Sequence, residues 1–328
     1  MSPTVDPRAD QVRSWALQVL EFERVGEPAV FAPASSDASF RRYFRVQADG
    51  RSWIVMDAPP EHEDCRPFLR VAELMRQAGL HVPRCLAQDL ERGFLLLDDL
   101  GRQTYLDVLD SENADRLYGD AIDALIRWQC ASRPGVLPEY DEVLLRRELE
   151  LFPDWYLARH LLLPLTAADR RLWESLCDLL VEAALAQPRV FVHRDYMPRN
   201  LMLSSPNPGV LDFQDAVHGP IAYDPLCLFK DAFLTWPQAR VEGWLHRYWQ
   251  RAGAAGLPVS DWPDFHRDCD LIGVQRHLKV AGIFARLMHR DRKPRYGDDI
   301  GRFIEYLREV SLRREELAPL RDLLRRYR

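Results

Sequence analysis

Lysine is nearly missing from this chain. Lysine and arginine together number 44 among 328 residues, yet the only lysines are Lys230, Lys279 and Lys293. Basic surplus is missing too: the formal charge is −6, which argues against a nucleic-acid partner, whose binding face would be basic. The six cysteines lie far apart, the nearest pair being Cys65 and Cys85, so neither a zinc spacing nor a redox pair exists. They are expected to be the reduced thiols of a cytosolic protein. The opening residues, MSPTVDPRAD, carry acids and no apolar core, unlike a signal peptide. No run approaches the roughly 20 apolar residues that span a bilayer. Internal repeats and low-complexity tracts are likewise lacking. These absences together give the expectation of a cytoplasmic protein with no nucleic-acid or membrane partner.

What remains is an ordinary soluble composition, 47% hydrophobic and 29% charged, in a chain long enough for two lobes. Apolar residues at helical spacing predict a helix over 8–24. Ala29 to Phe31, Arg42 to Val46 and Trp53 to Met56 read as strands. Pro67 to Ala78 reads as a helix closed by Gly79, and Leu86 to Leu90 with Gly93 to Leu97 as a further hairpin. Beyond Asp98-Asp99-Leu100-Gly101 the period becomes helical over 104–131, 141–162, 166–187, 224–235, 237–253, 264–290 and 298–327. The reading is an N-terminal β lobe over 1–97, a hinge at 98–101 and a helical lobe over 102–328.

Residues 190 to 215, VFVHRDYMPRNLMLSSPNPGVLDFQD, concentrate chemistry in one stretch. Two apolar runs, Val190 to Val192 and Val210 to Phe213, read as a hairpin around a polar loop. The loop holds His193-x-Asp195-x4-Asn200, and Asp212 follows in the second run. A nucleoside triphosphate must have its charge neutralised as the γ-phosphoryl group leaves, and Mg²⁺ does most of this. Mg²⁺ takes hard oxygen ligands and keeps several waters, so one carboxylate and one amide carbonyl suffice from the protein. Asn200 and Asp212 fit that pair. Asp195 fits the group that orients an attacking hydroxyl and accepts its proton. His193 is expected to pack and hydrogen-bond beneath the loop. An H-x-D-x4-N string alone is common, and an Asp or Asn at a strand end is often a turn former. Joined to Asp212 at this separation, it points to ATP- and Mg²⁺-dependent phosphoryl transfer.

A small β lobe, a short hinge and a helical lobe carrying such a loop resemble the protein-kinase-like fold. Within it the chain resembles the aminoglycoside phosphotransferase family of small-molecule kinases, since Asp212 follows Asn200 too closely for the long activation segment of protein kinases. The resemblance implies an α+β, bilobal architecture, with Asp224 bracing the catalytic loop through hydrogen bonds. N-capping of the following helix is the other role open to Asp224. HRDYMPRNLM, GVLDFQDAVHGP, DPLCLFKDAF, GFLLLDDLG and VQRHLKVAGIFARL resemble, more closely, the amino-sugar kinases of this family. That implies phosphorylation of the C1 hydroxyl of N-acetylmuramic acid and N-acetylglucosamine during recycling of cell-wall peptidoglycan.

The chain departs from the kinase pattern by lacking both a glycine-rich loop and a strand lysine. Ser35-Ser36-Asp37-Ala38-Ser39-Phe40 takes the loop position, and Met56-Asp57 stands about where the lysine would fall. Ser35, Ser36 and Ser39 are the expected phosphate donors, and one of Arg41, Arg42 or Arg45 the source of charge, with Arg42 taken into the candidate set. Without that lysine, Glu73 reads as a surface acid. Adenine is expected along Leu95 to Leu100, its edge read by the backbone near Asp98, Asp99 and Leu100. Arg199 is a candidate for the lactyl carboxylate or the γ-phosphate, and Trp155, Tyr223 and Asp215 are candidates for the sugar. The expected partner is a small amino sugar, with a monomer favoured. Two alternatives stay open: another acceptor, such as an aminoglycoside, choline or homoserine, or a nucleotide-binding pseudokinase that regulates without catalysing.

Overall fold

The computed structural model describes residues 6–20, 30–35 and 40–327. Ser36 and Ser39 therefore lie outside the described residues, and Ser35 is described only as the backbone end of a strand. The chain forms two units, residues 1–103 with 202–215 and residues 104–201 with 216–328. The expected hinge at 98–101 falls inside the first unit. The stretch 202–215, read from sequence with the helical part, belongs instead with the first unit, because its contacts lie there. Val210 N–H donates to the His81 carbonyl at 2.8 Å, Leu203 N–H to that of Gln103 at 2.9 Å, and Phe213 packs on Phe68 with ring centroids 4.8 Å apart.

In the first unit, helix α1 (Pro7–Val19) starts where Asp6 accepts the N–H groups of Arg8 and Ala9 and Pro7 takes the first position, where its missing N–H costs nothing. It ends at Val19, short of the expected 24, and 21–29 lie outside the described residues. Its buried face, Val12, Trp15 and Ala16, has the i, i+3, i+4 spacing of one helical stripe. That stripe packs on one face of an antiparallel sheet, against Phe44, Val46, Val55, Phe94 and Leu96. The strands are β1 (Val30–Ser35), β2 (Arg42–Ala48), β3 (Arg51–Asp57), β4 (Cys85–Asp89) and β5 (Phe94–Asp98), in the order β1-β2-β3-β5-β4. Asp49 and Gly50, both at positive φ, make the tight turn between β2 and β3, the geometry that matches strand twist. At Gly93 a Cβ would stand 1.9 Å from the Ala58 carbonyl oxygen, so the approach to β5 accepts only glycine. Leu95 and Leu97 alternate to the opposite face of β5 and are buried there.

Between β3 and β4 runs α2 (Cys65–Gln77), capped by Asp64. Its end is built as the sequence implied. Gly79 has φ +79°, its N–H reaches the Arg76 carbonyl, and Leu80 N–H reaches that of Met75, the paired bonds of a Schellman motif. Glu73 lies on the outer face, paired with Arg76.

The second unit is helical, but four of the expected long helices are broken. The stretch 104–131 divides into α3 (Tyr105–Val108) and α4 (Ala114–Cys130), because the Asp110 carboxylate accepts the N–H groups of Glu112 and Asn113 in competition with a helical ladder. The stretch 141–162 begins as α5 (Glu142–Leu149) and continues as a π-helix over Phe152–His160; Pro153 has no N–H to offer the Leu149 carbonyl. Helix α6 spans Ala167–Ala186. Helix α7 (Tyr223–Phe229) stops before the expected 235, where the Asp231 side chain takes the backbone N–H of Ala232. Helices α8 (Gln238–Ala254) and α9 (Trp262–His289) follow. The last stretch breaks into α10 (Gly297–Arg313) and α11 (Ala318–Arg326), with Pro319 setting the start of the second. Gly282 on α9 lets that helix approach the π-helix segment, since a Cβ there would come within 2.4 Å of the Leu151 backbone. Among the described residues no helix is long and apolar enough to cross a membrane.

The hairpin expected over 190–213 does not form. Strand β6 (Arg189–Val192) pairs antiparallel with β9 (Val217–Pro220), in the register Val190 to Gly219 and Val192 to Val217. The intervening β7 (Leu201–Met202) and β8 (Gly209–Val210) pair with each other, and Leu211 to Phe213 is outside any strand. The partner actually chosen, Val-His-Gly-Pro, carries little apolar signal, so the pattern pointed to the 210–213 run instead.

Candidate active site

Strand β6 ends at Val192, and the loop that begins with His193 is tied down residue by residue. Asp224, fully buried in the first turn of α7, accepts the N–H of His193 at 2.6 Å on one carboxylate oxygen and that of Arg194 at 3.0 Å on the other. The N-cap of α7 is Ala222, so Asp224 acts on the loop and not as a helix cap. Burial pushes its carboxyl up to about 7, with the two amide donors pulling the other way. Arg194 has φ +76°, a left-handed backbone that costs a side-chain-bearing residue about 1–3 kcal/mol unless its surroundings enforce it.

His193 is fully buried beneath the loop, and its Nδ1 accepts the N–H of Asp195 at 3.2 Å. The Asp195 carbonyl accepts the Met197 N–H at 3.0 Å and the Asn200 side-chain N–H at 2.9 Å. With its nitrogen so used, the oxygen of Asn200 is the amide atom suited to a hard cation. The Tyr196 hydroxyl donates to the Ala121 carbonyl at 2.8 Å, fastening the loop to α4. Asp195 is half-buried, and among the described residues nothing donates a hydrogen bond to its carboxylate. The backbone of this residue is held while its side chain stays out of the protein's own hydrogen bonding, as a group meant for a substrate hydroxyl requires. Arg199 lies with its guanidinium carbon 5.1 Å from the Phe233 ring centroid.

In the first unit, Asp212 has φ +60°, and its Oδ1 accepts from Gln214 Nε2 at 2.9 Å. Arg42 is not available in the way the sequence suggested. Its Nε and Nη2 donate to Asp57 Oδ2 at 2.9 and 2.6 Å and its Nη1 pairs with Asp6, while Asp57, fully buried, also takes Arg8 at 2.7 Å. A buried carboxylate needs such cations, so Arg42 is a structural partner of Asp57. Arg41 pairs with Glu63 at 2.8 Å, and Arg45 pairs with Asp99 at 2.6 Å and donates to the Gly101 carbonyl at 2.6 Å. Asp99 also accepts from Ser52 and the Gly101 N–H, so its side chain organises the turn. The Asp98 N–H donates to the Arg84 carbonyl at 3.0 Å, and a Cβ on Gly209 would touch the Leu100 side chain at 2.8 Å.

Of the sugar candidates, Asp215 is exposed and Trp155, in the π-helix, half-buried. Tyr223, expected at the sugar, is fully buried, with its hydroxyl accepting from Lys279 Nζ at 3.2 Å and its ring 5.5 Å from that of Tyr140. It belongs to a charged network that the sequence reading missed. Glu148 of α5, also buried, pairs with Arg194 of the loop and, at 2.9 Å, with Lys279 of α9. It also accepts from the Tyr140 hydroxyl and, at 3.1 Å, from Gln275 Nε2. The available signal was weak: ionisable residues among the apolar positions of 271–285.

Burial alone would raise the Glu148 carboxyl, but Lys279 and Arg194 outweigh it and hold it down at about 2. A depressed folded value means that its contribution to stability is complete above about pH 4.5 and is lost as pH falls through about 2. Unfolding measured from pH 6 downward is expected to show the stability gap between wild type and Glu148→Gln narrowing by up to about 3 kcal/mol across that window. A gap constant from pH 6 to 2 would show that the pair does not hold the proton off.

Comparison with known proteins agrees with this architecture. Residues 30–266 match the phosphotransferase enzyme family. Over 97% of its length the chain is 61% identical to the N-acetylmuramate/N-acetylglucosamine kinase of Pseudomonas aeruginosa, covering 96% of that protein. It is 62% identical over 89% of its length to the kinase of the same name from Pseudomonas putida, covering 86% of it. Among solved structures it resembles choline kinase LicA from Streptococcus pneumoniae, with a TM-score of 0.65 at 13% identity over 92% of this chain and 99% of that one. The gentamicin complex of APH(2")-IIa gives 0.61 at 14% identity over 90% and 95%. Identities this low establish the kinase-like fold alone, whereas the match over residues 30–266 and the two Pseudomonas kinases establish kinship: the chain belongs to the phosphotransferase enzyme family.

Proposed function

We propose that this protein is an ATP-dependent kinase that phosphorylates the C1 hydroxyl of N-acetylmuramate and N-acetylglucosamine in the recycling of cell-wall peptidoglycan. The name carried by relatives more than 60% identical supports the two sugars. The observation that carries the reaction is Asp195, whose backbone is fixed by His193, Met197 and Asn200 while its carboxylate is left to a substrate. In the step, the C1 oxygen forms a bond to the γ-phosphorus and the bond to the β,γ-bridging oxygen breaks. ADP leaves, and the hydroxyl proton passes to Asp195. Mg²⁺, when bound, neutralises charge on the phosphates. Asn200 and Asp212 are its proposed ligands, one amide oxygen and one carboxylate, a donor set that suits this ion. The backbone of Asp99 and Leu100 is proposed to read the adenine edge, the Asp98 amide being already engaged. Arg199 is proposed for an anionic group, the lactyl carboxylate or the transferring phosphoryl.

The test is Mg²⁺-dependent ATP turnover with both sugars, choline, homoserine and an aminoglycoside, with ³¹P NMR locating the phosphate. An acid-labile C1 phosphate on the amino sugars is expected. Turnover with another acceptor only would discard the sugar assignment and keep the phosphoryl transfer. Nucleotide binding without turnover would discard both in favour of a regulatory role.

A further inference from the structure

Proton transfer to Asp195 explains neither why Arg194 is charged nor why a carboxylate and a lysine are buried with it. Arg194 is tied at three points. Its N–H is held by Asp224, its carbonyl accepts from the Cys227 thiol at 3.7 Å, and its guanidinium pairs with Glu148. The first two tethers come from α7, the third from α5. The guanidinium also lies 5.6 Å from the Tyr140 ring centroid, which closes one side of the cluster.

We propose that Glu148 is a positioning residue for phosphoryl transfer: through Arg194 it fixes the backbone rotation that aims Asp195, and Lys279 keeps it charged for that task. The physical reason lies in the conformation of Arg194. A left-handed backbone on a side-chain-bearing residue relaxes unless something opposes it, and Asp195 is the next residue along the chain. With the N–H alone clasped, rotation about the N–Cα bond, the φ held at +76°, stays open and swings the carbonyl and with it Asp195. A side-chain anchor on a different helix removes it. Were the cluster there only to join helices, apolar residues of similar volume would serve as well or better. It would then have no reason to include the side chain immediately preceding the proton acceptor.

This rests on Asp195 being the group that faces the acceptor hydroxyl. The experiment measures kcat, both KM values and the folded fraction for wild type, Glu148→Gln, Arg194→Met and the double variant. Expected is a fall in kcat per folded molecule of about 10- to 100-fold for each single variant, the size that a displacement near 1 Å produces, with the KM for MgATP within about twofold. The double variant is expected to be no slower than the slower single one, because both changes cut one tether. If Glu148→Gln fails to fold, Arg194→Met decides, since it leaves Glu148 paired with Lys279. Wild-type kcat in folded Glu148→Gln or Arg194→Met, or losses that multiply in the double variant, would overturn the proposal. Should wild type transfer to neither sugar, the proposed function fails first. The same comparison is then made on ATP hydrolysis, where water is the hydroxyl that Asp195 orients.

Discussion

Asp195→Asn is expected to lower kcat by about 10²- to 10⁴-fold, the range for removing a positioned general base, while the affinity for MgATP changes by less than about twofold. The substitution is unusually clean here. The contacts that shape the loop are made by the Asp195 backbone, with His193, Met197 and Asn200, and none of them is touched by replacing a carboxylate oxygen with nitrogen. Asparagine keeps the shape and loses the ability to take a proton. Steady-state kinetics on both sugars, with nucleotide affinity measured by calorimetry, separate the two effects. Turnover equal to wild type would remove Asp195 from the mechanism, and a large loss of nucleotide affinity would move its role to ATP.

Asp224→Asn is expected to slow catalysis by about 10²-fold through displacement of the loop, at a cost in stability that depends on pH. One oxygen can still accept an N–H, but the other of the two clasped amides then faces an NH₂ group. Leaving a buried N–H unmet costs about 1–3 kcal/mol. Against this stands the cost of burying the native charge. Raising the carboxyl from 3.8 to about 7 corresponds to about 4 kcal/mol at pH above 7. Because the folded value is raised, the native residue's favourable contribution is complete below about pH 3.8 and is lost as pH rises through about 7. The variant is therefore expected to be most destabilised, relative to wild type, near pH 4 and to approach or exceed wild-type stability near pH 8, while remaining slow at both. Denaturant unfolding across this range reads the sign directly, and a stability gap that widens with pH would contradict it.

Asp195 was legible from the spacing of its own loop, whereas the bracing role of Asp224, 29 positions further on, came from the family resemblance. The H-x-D-x4-N spacing, the Gly79 helix end and the five strands of the first unit are local patterns whose geometry follows from nearby residues. What escaped was set by chemistry at a distance or by local signals that periodicity overrode. Pro153, Pro319, Asp110 and Asp231 all stood inside apolar patterns that read as continuous helix, and each breaks it. β6 pairs with β9, Val-His-Gly-Pro, in place of the more apolar 210–213 run, so hydrophobic pattern pointed to the wrong partner. Arg42 was assigned to phosphate because the sequence does not reveal that Asp57 would be fully buried and need both Arg8 and Arg42. Glu148, Arg194 and Lys279 come from a helix, a loop and another helix, so no spacing could have joined them.

The path of the chain through its two units also governs how the protein is made. Residues 1–103 emerge from the ribosome without the 202–215 segment that completes their unit, so the Phe68 face awaits Phe213 and the His81 carbonyl awaits Val210 until about a hundred further residues have been synthesised. The first unit to begin folding is thus unable to finish alone. A chain truncated near residue 103 keeps all five strands of the sheet but leaves Phe68 without Phe213 and the His81 carbonyl without Val210, an incomplete unit prone to association.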